Sequence, residues 1–504
     1  MKKKSLLYII IAIGSLIIAL SGCKSSSSTQ TGTTTPTITE TTSQIELQGL
    51  NREFRGAWIQ CVNGQFQGMS TATMQADLIH QLDELKRDGI NTIIFQVRAE
   101  CDALYESPYE PWSRFLTGRQ GVAPSPRWDP LAFMVDECHK RGMELHAWIN
   151  PYRARTKTTK TLASNHIAKT HPERVFAYDG LLILNPGIKE NKDYIINVVK
   201  DIVNRYDIDG LHIDDYFYPY PAPGQNIPDR TQYLRYGTAF TNIADWRRDN
   251  VNRFIKELNT AIHEVKPWVK FGVSPFGIYR NRRVDPDGSN TNGLSNYDDL
   301  YADVLLWERE GWLDYIVPQI YWQIGYSVAD YETLIKWWDA HTTHRALIIG
   351  EDVERTVKYN QLDEKMKLER ECGNVKGSCQ WYSRVVVNDL GGYATKLRTT
   401  YFNTPTLNIA MPWLAKRTPA APRKLKAFWV DGAQVLFWTP DEGDTWDSIP
   451  TEYIIYRNGQ YFATTKNTFI QLPHTDGKTK VTYSVTALNR ILVESKAANI
   501  KVKE

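Results

Sequence analysis

"GLHIDDYFYPYP" spans Gly210 to Pro221. It begins as a short apolar strand and ends as an aromatic loop broken twice by proline. Two adjacent carboxylates, Asp214 and Asp215, stand at the junction. Successive strand side chains face opposite ways. Leu211 and Ile213 therefore share one face, and His212, Asp214 and Tyr216 share the other. Asp215 joins Asp214 only if the chain bends at the strand end. The run Tyr216 to Pro221 suits such a bend, because residues before Pro219 and Pro221 avoid the helical region.

The same alternation recurs on both sides. In "NTIIFQVRAE" (Asn91 to Glu100), Ile93, Phe95 and Val97 oppose Gln96, Arg98 and Glu100. In "ELHAWINPY" (Glu144 to Tyr152), Leu145, Ala147 and Ile149 oppose His146, Trp148, Asn150 and Tyr152. In "DYIVPQIYW" (Asp314 to Trp322), Ile316, Pro318 and Ile320 oppose Val317, Gln319 and Tyr321. One parity is aliphatic, and the other is polar and aromatic. "RGAWIQC", "KFGVSPFGIYR", "RALIIGED" and "SCQWYSRVVV" complete eight strand-like runs. Between them, apolar residues recur at helical spacing, as in Leu78, Ile79, Leu82 and Leu85, or Val251, Phe254, Ile255, Leu258 and Ile262. Eight strand–helix units over residues 52–416 predict an α/β fold, a (β/α)8 TIM barrel. No glycine-rich phosphate fingerprint follows any strand, which argues against an open dinucleotide-binding sheet.

An ordinary barrel interior is filled with branched aliphatics. Here the interior parity is polar, which places a site at the C-terminal strand ends. The residues that would line it are Arg98, His146, Trp148, Asn150, Tyr152, Arg153, His212, Tyr216, Gln319, Tyr321 and Trp322. The chain has 16 Trp and 27 Tyr, many in loops after strands. Flat aromatic faces stack on sugar rings while Asn, Gln and Arg bond hydroxyls, so a glycan is the expected ligand.

The N-terminus reads as a processing signal. Lys2, Lys3 and Lys4 precede an apolar run from Leu6 to Leu20, and "LSGC" resembles a bacterial lipobox ending at Cys23. That resemblance implies a signal peptide over 1–22 and lipidation of Cys23. Residues 23–51 are rich in Ser and Thr and read as a flexible tether. The expected location is the bacterial cell envelope, lipid-anchored at the periplasmic or surface face of the outer membrane. The formal charge is +3, and loss of the three lysines in 1–22 brings it to zero. Nothing in that balance points to nucleic acid. Five cysteines remain after Cys23 and read mainly as core thiols. No spacing suggests zinc, so neither metal nor cofactor is expected, and the chain reads as a monomer. Residues 419–504 change character to short alternating strands with turns at Asp431-Gly432 and Asn458-Gly459. They resemble a fibronectin type III β-sandwich.

"FRGAWIQ", "QVRAECDALYESPYEPWSRFLTGRQG", "DPLAFMVDECHKRGMELHAWINPYR", "YDIDGLHIDDYFYPYP", "VSPFGIYRN" and "YIVPQIYW" together resemble the glycosyl hydrolase-like 10 family. The resemblance implies a (β/α)8 barrel that hydrolyses glycosidic bonds. That family includes lipoproteins acting on peptidoglycan strands stripped of stem peptides. Ala99 departs from the proline usual after "QVR" there.

Glycosidases usually place two carboxyl groups across the scissile bond. Asp214 is the first candidate. Its place is similar to that of the nucleophile in the alpha-amylase clan, but no acid ends the fifth strand here. The second group could be Glu100 or Asp102 at the end of the second strand. It could equally be Asp215, because adjacent Asp pairs are similar to those of the O-GlcNAcase family. There the substrate's acetamido group attacks, one Asp orients it and its neighbour is the acid. Two other readings stay open. One is a surface lipoprotein hydrolysing dietary or host glycans, with Glu351 and Asp352 as further acids. The other is a non-catalytic carbohydrate-binding barrel.

Overall fold

The computed structural model describes residues 47–473 and 479–503. The signal peptide, Cys23 and most of the tether lie outside them. The chain divides into two compact units, with the boundary between Lys416 and Arg417.

The first unit is a closed barrel of eight parallel strands. They are β1 (Phe54–Ile59), β2 (Thr92–Arg98), β3 (Glu144–Ile149), β4 (Gly210–Ile213), β5 (Lys270–Val273), β6 (Tyr315–Ile316), β7 (Ala346–Asp352) and β8 (Val375–Trp381). Helices alternate with them: α1 (Thr71–Arg87), α2 (Pro130–Lys140), α3 (Lys189–Arg205), α4 (Ile243–Val265), α5 (Val304–Arg309), α6 (Tyr331–His341), α7 (Leu362–Glu371) and α8 (Ser383–Val387). Their starts follow local chemistry. Ser70 and Asp129 cap α1 and α2 with side-chain oxygens, and Pro130 opens α2 where no N–H is needed.

Side-chain parity sorts the core into two clusters. Ile93, Phe95, Leu145, Ala147, Leu211, Ile213, Phe271 and Ile316 pack with the helices. Phe54, Trp58, Ile94, Trp148, Tyr315, Val317, Ile348 and Cys379 fill the barrel. The interior is thus aromatic and polar, as the alternation predicts.

Several expectations need correction. The fifth and sixth strands are short, because Pro275 and Pro318 follow them and lack the ladder N–H. The run "SCQWYSRVVV" is a strand only to Trp381, after which Ser383–Val387 is helical. There Ser383 bonds Gln81 of α1 at 2.8 Å, and Arg384 pairs with Asp77 at 2.7 Å. Tertiary packing outweighs the strand preference of the valines. Cys61, Cys101, Cys138 and Cys379 are buried, Cys372 is half-buried, and all five are free thiols.

The largest departure is in β2. Gln96 pairs with Trp148, but Arg98 pairs with Ile149, so one extra residue is accommodated at a bulge. A bulge turns later residues to the opposite face. Arg98 therefore shares the outward face of Ile149 and not the interior face of Gln96.

The N-terminal end of the barrel is closed by a polar column. Lys270 pairs with Glu144 at 2.5 Å, and Glu144 meets His146 Nε2 at 3.0 Å. His146 Nδ1 meets the Tyr315 hydroxyl at 2.6 Å, and His212 Nδ1 meets the same hydroxyl at 3.0 Å. His212 Nε2 then reaches Ser274 Oγ at 2.9 Å. Glycine makes room for these rings. A Cβ at Gly210 would come within 2.7 Å of the His146 ring, and one at Gly272 would fall inside the Tyr315 ring.

The second unit holds seven strands: β9 (Arg423–Val430), β10 (Ala433–Thr439), β11 (Glu452–Arg457), β12 (Gln460–Thr465), β13 (Phe469–Gln471), β14 (Lys480–Leu488) and β15 (Ala498–Lys503). They form antiparallel sheets ordered β9-β10-β13 and β12-β11-β14-β15. Leu436 and Trp438 of one sheet share a core with Tyr453, Ile455, Tyr483 and Val485 of the other. This is a small β-sandwich.

Gly272→Ala overpacks the barrel floor. It should lower unfolding free energy by about 3 kcal/mol, read as a fall in the urea midpoint at unchanged slope.

Candidate active site

Asp214 and Asp215 follow β4 at the C-terminal mouth of the barrel. Both are buried, with relative exposures of 4% and 2%. Each carboxylate has its own donors. Asn150 Nδ2 reaches Asp214 Oδ1 and Oδ2 at 3.0 and 3.1 Å, and Trp148 Nε1 reaches Oδ2 at 3.2 Å. Asn150 is oriented from behind, because its Oδ1 accepts the Arg153 backbone N–H at 2.8 Å. The Arg153 side chain is 7% exposed. Its Nε donates to the Ala99 carbonyl at 3.0 Å, and its guanidinium lies 5.0 Å from the Tyr216 ring centroid. Its Nη2 is buried without a hydrogen-bond partner.

Asp215 accepts a hydrogen bond from the Tyr220 hydroxyl. The Gln319 amide, three residues past β6, favours its charged form and donates to the Ser274 carbonyl at 2.9 Å. The chain turns immediately after it, with Phe217 N–H on the Asp215 carbonyl at 3.1 Å. The bend that the proline-rich stretch allows is therefore present. Asp215 meets Gln319, one of the interior-parity residues, at the barrel mouth.

The two acids are electrostatically distinct. Burial raises the Asp214 carboxyl, while the Arg153 charge and the Asn150 and Trp148 donors pull it back down. Burial, and then the neighbouring Asp214, push Asp215 up to about 7. Asp215 therefore holds its proton near neutrality, and Asp214 is the better-supported anion.

Aromatic rings line the mouth. Tyr216 stacks on Tyr220 with centroids 5.2 Å apart, and Tyr220 meets Phe276 edge-on. Tyr321 stacks on Trp381 at 6.3 Å, and Trp58 meets both edge-on. Trp322 sits behind Phe276 at 5.5 Å and packs toward the helix side. Tyr220, expected only as one of many loop aromatics, is the partner of Asp215, and Trp381 joins the mouth without having been expected there. Their signals were available. Tyr220 lies within the opening stretch, and Trp381 shares the interior parity of Cys379.

Other expected site residues are placed elsewhere. Arg98 forks onto Glu110, with Nη2 to Oε1 at 2.7 Å and Nε to Oε2 at 2.8 Å. It also donates to the Asn150 and Pro151 carbonyls, so it braces the loop after β3 and does not face a ligand. Tyr152 packs on Phe254 of α4 at 5.3 Å, because the chain leaves the strand at Ile149 and the parity ends there. His146 belongs to the N-terminal column. His212 lies one layer beneath Asp214, fully buried, and burial holds its ring well below the usual histidine range. Glu100 is bound by Arg114 at 3.2 Å and by Thr159 Oγ1 at 2.7 Å. Asp102 accepts from Gln120 at 3.0 Å, and burial with the nearby Glu100 pushes it up to about 6. These two acids anchor loops and stand apart from the Asp214/Asp215 pair. Glu351 pairs with Lys365 at 2.9 Å, and Asp352, in register with Trp381, caps the helix that follows β7. Among the described residues, no group of three or more His, Cys, Asp or Glu side chains is placed to hold a metal.

A polar, aromatic-rimmed barrel mouth with paired buried acids is a glycoside-hydrolase type of site. The family described as glycosyl hydrolase-like 10 matches residues 53–365. The chain is 40% identical to the glycosyl hydrolase YngK of Bacillus subtilis (strain 168), over 90% of this chain and 94% of that protein. It is 39% identical to the glycosyl hydrolase DigH of Escherichia coli (strain K12), over 68% of this chain and 80% of that protein. The chain belongs to the glycosyl hydrolase-like 10 family. Among solved structures, the PgaB (BpsB) glycoside hydrolase domain from Bordetella bronchiseptica matches at 11% identity and a TM-score of 0.46, covering 69% of this chain and 98% of that one.

An acid whose folded pKa lies above its unfolded value, about 3.9, binds its proton more tightly when folded. Its contribution to stability therefore falls as pH rises through that interval to about 7. Asp215→Asn should be more stable than the parent at pH 8 by roughly 2 kcal/mol. The gap should narrow as pH falls from about 7 and close below about pH 4, and urea unfolding at pH 8 and in that acid range measures it.

Proposed function

We propose that the protein hydrolyses N-acetylhexosamine linkages in glycan strands with Asp215 as general acid and Asp214 as the group that orients the substrate's acetamido arm. The observation that carries this reading is the split environment of the pair. Asp215, raised to about 7, can give a proton to the leaving oxygen at neutral pH. Asp214 accepts N–H donors from Asn150 and Trp148, and an ionised carboxylate has lone-pair sites for one more. The acetamido N–H takes that place. Its carbonyl oxygen then attacks the anomeric carbon as the glycosidic bond breaks, giving a cyclic oxazolinium. Asp215, now ionised, draws a proton from the water that opens this ring. Such substrate assistance is an established exception to the two-carboxylate pattern. Tyr216, Tyr321 and Trp381 supply ring faces for the sugars.

Peptidoglycan strands stripped of stem peptides are the substrate this reading favours. Their sugars carry the required acetamido group, and the family resemblance and lipobox-like N-terminus point to the same envelope setting. In that setting Cys23 would carry the lipid, and the sandwich, resembling fibronectin type III, would brace a monomeric barrel.

Asp214→Asn and Asp215→Asn should each lower cleavage of amidase-stripped strands by about 10²- to 10⁴-fold, followed by product chromatography. Undiminished cleavage by both variants would refute the assignment, as would hydrolysis of strands from which the N-acetyl groups have been removed. The pH dependence gives a separate test. kcat/KM should fall above about pH 7 as Asp215 ionises. Arg153→Gln removes the cation beside Asp214, so the acid limb should move to higher pH.

A further inference from the structure

A second cavity, of about 680 Å³, opens between the loops that follow β2 and β3. That volume lies within the usual range for small-ligand sites, about 300–1,000 Å³. Arg114, Arg119 and Lys160 stand on its wall with the hydroxyl residues Thr158, Thr159 and Ser164, and no carboxylate lines it. The two acids that the catalytic pair does not use lie behind it. Glu100 holds Arg114 at 3.2 Å, the Thr159 hydroxyl at 2.7 Å and the Thr156 N–H at 2.5 Å. Asp102 holds Gln120 at 3.0 Å, and Gln120 Oε1 accepts the Ala163 N–H at 3.0 Å. Buried carboxylates thus pin both loops and fix the floor.

The rim is different. Among the described residues, neither the Arg119 guanidinium nor the Lys160 ammonium has a hydrogen bond or ion pair, and both residues are exposed. Single exposed cations of this kind are ordinary solvated surface. Here they converge on a concave, braced wall. Three cations less the two acids behind the wall leave a net charge of one, in a chain whose charge after loss of 1–22 is zero. Arg153, beside Asp214, and Thr156, on Glu100, are three residues apart, so their Cα atoms are separated by at most about 11 Å. A glycan held at the acid pair can reach this cavity within a few sugars.

We infer that this cavity is an accessory subsite for the carboxylate of an acidic sugar in the glycan chain. The proposal rests on the glycan reading above and adds to it a preference for anionic strands. Arg119 would fork onto the carboxylate, with Lys160 and the Thr158 and Ser164 hydroxyls completing the shell, while Arg114, held through Nε and Nη2 by Glu100 and Thr158, adds its charge behind them.

The test is calorimetric, in an Asp215→Asn background that prevents turnover. The probes are stripped glycan strands with their lactyl carboxylates, the same strands with those groups reduced to alcohols, and neutral chitin oligosaccharides. Carboxylated strands should bind roughly tenfold tighter than reduced ones, and the advantage should shrink as salt rises. Arg119→Gln combined with Lys160→Gln should bring that ratio to about one while chitin binding is unchanged. Equal binding of carboxylated and reduced strands would overturn the subsite, as would a ratio the double variant leaves intact. Failure of hydrolysis with the ratio preserved would sink only the proposed activity.

Discussion

Two carboxyl groups buried side by side cannot both ionise without a large penalty, and the mouth of this barrel is organised around that constraint. Like charges in a low-dielectric pocket push one proton on and keep the other off. The surrounding residues decide which is which. A guanidinium, an amide and an indole N–H gather on Asp214, whereas Asp215 has a phenol and an amide and faces the charge of its neighbour. Chemical asymmetry between two identical side chains is produced entirely by their neighbours. Among the described residues no carboxylate forms an ion pair with Arg153, and its charge is the largest influence drawing the Asp214 carboxyl back down.

The layer beneath supports this arrangement. With neutral rings, hydrogen bonds through the barrel must run in one direction. Ser274 donates to His212, His212 to Tyr315, Tyr315 to His146, and His146 to Glu144. The two imidazoles and the Tyr315 phenol each have one donor and one acceptor role filled within the chain. Lys270 balances the charge of Glu144 at the far end. Polar groups in the interior are tolerable because every link is satisfied. Gly210 and Gly272 provide the volume for the rings that make the links.

Much of this was legible from residue alternation. Period-two patterning in four strands was enough to predict a barrel with a polar interior and to turn Asp214 inward. The same logic turns Trp148 and Asn150 inward, where their N–H groups meet Asp214. The departures have two causes: parity holds only while the strand does, and a bulge inverts it within β2. Tyr152 was assigned three residues past the end of β3, where the chain had already turned toward α4. The valines after Trp381 carry strand propensity, but contacts to α1 make them helical. Asp215 was undecided for the same reason, since only the three-dimensional turn shows where it points. No local signal marks the bulge near Val97, because an extra residue in a strand has the same composition as its neighbours.

That bulge has a consequence for how such barrels diversify. Arg98 and Glu100 face away from the mouth because β2 carries one residue more than its partner needs. A one-residue slip of the strand end into regular register would place Arg98 opposite Asn150 and re-aim its guanidinium toward Asp214. It would also release the loops that Glu100 now pins. A slip of one residue would thus exchange a braced accessory cavity for a differently charged barrel mouth. In this scaffold, the register of a strand end can redraw the mouth more sharply than point substitutions at the acids themselves.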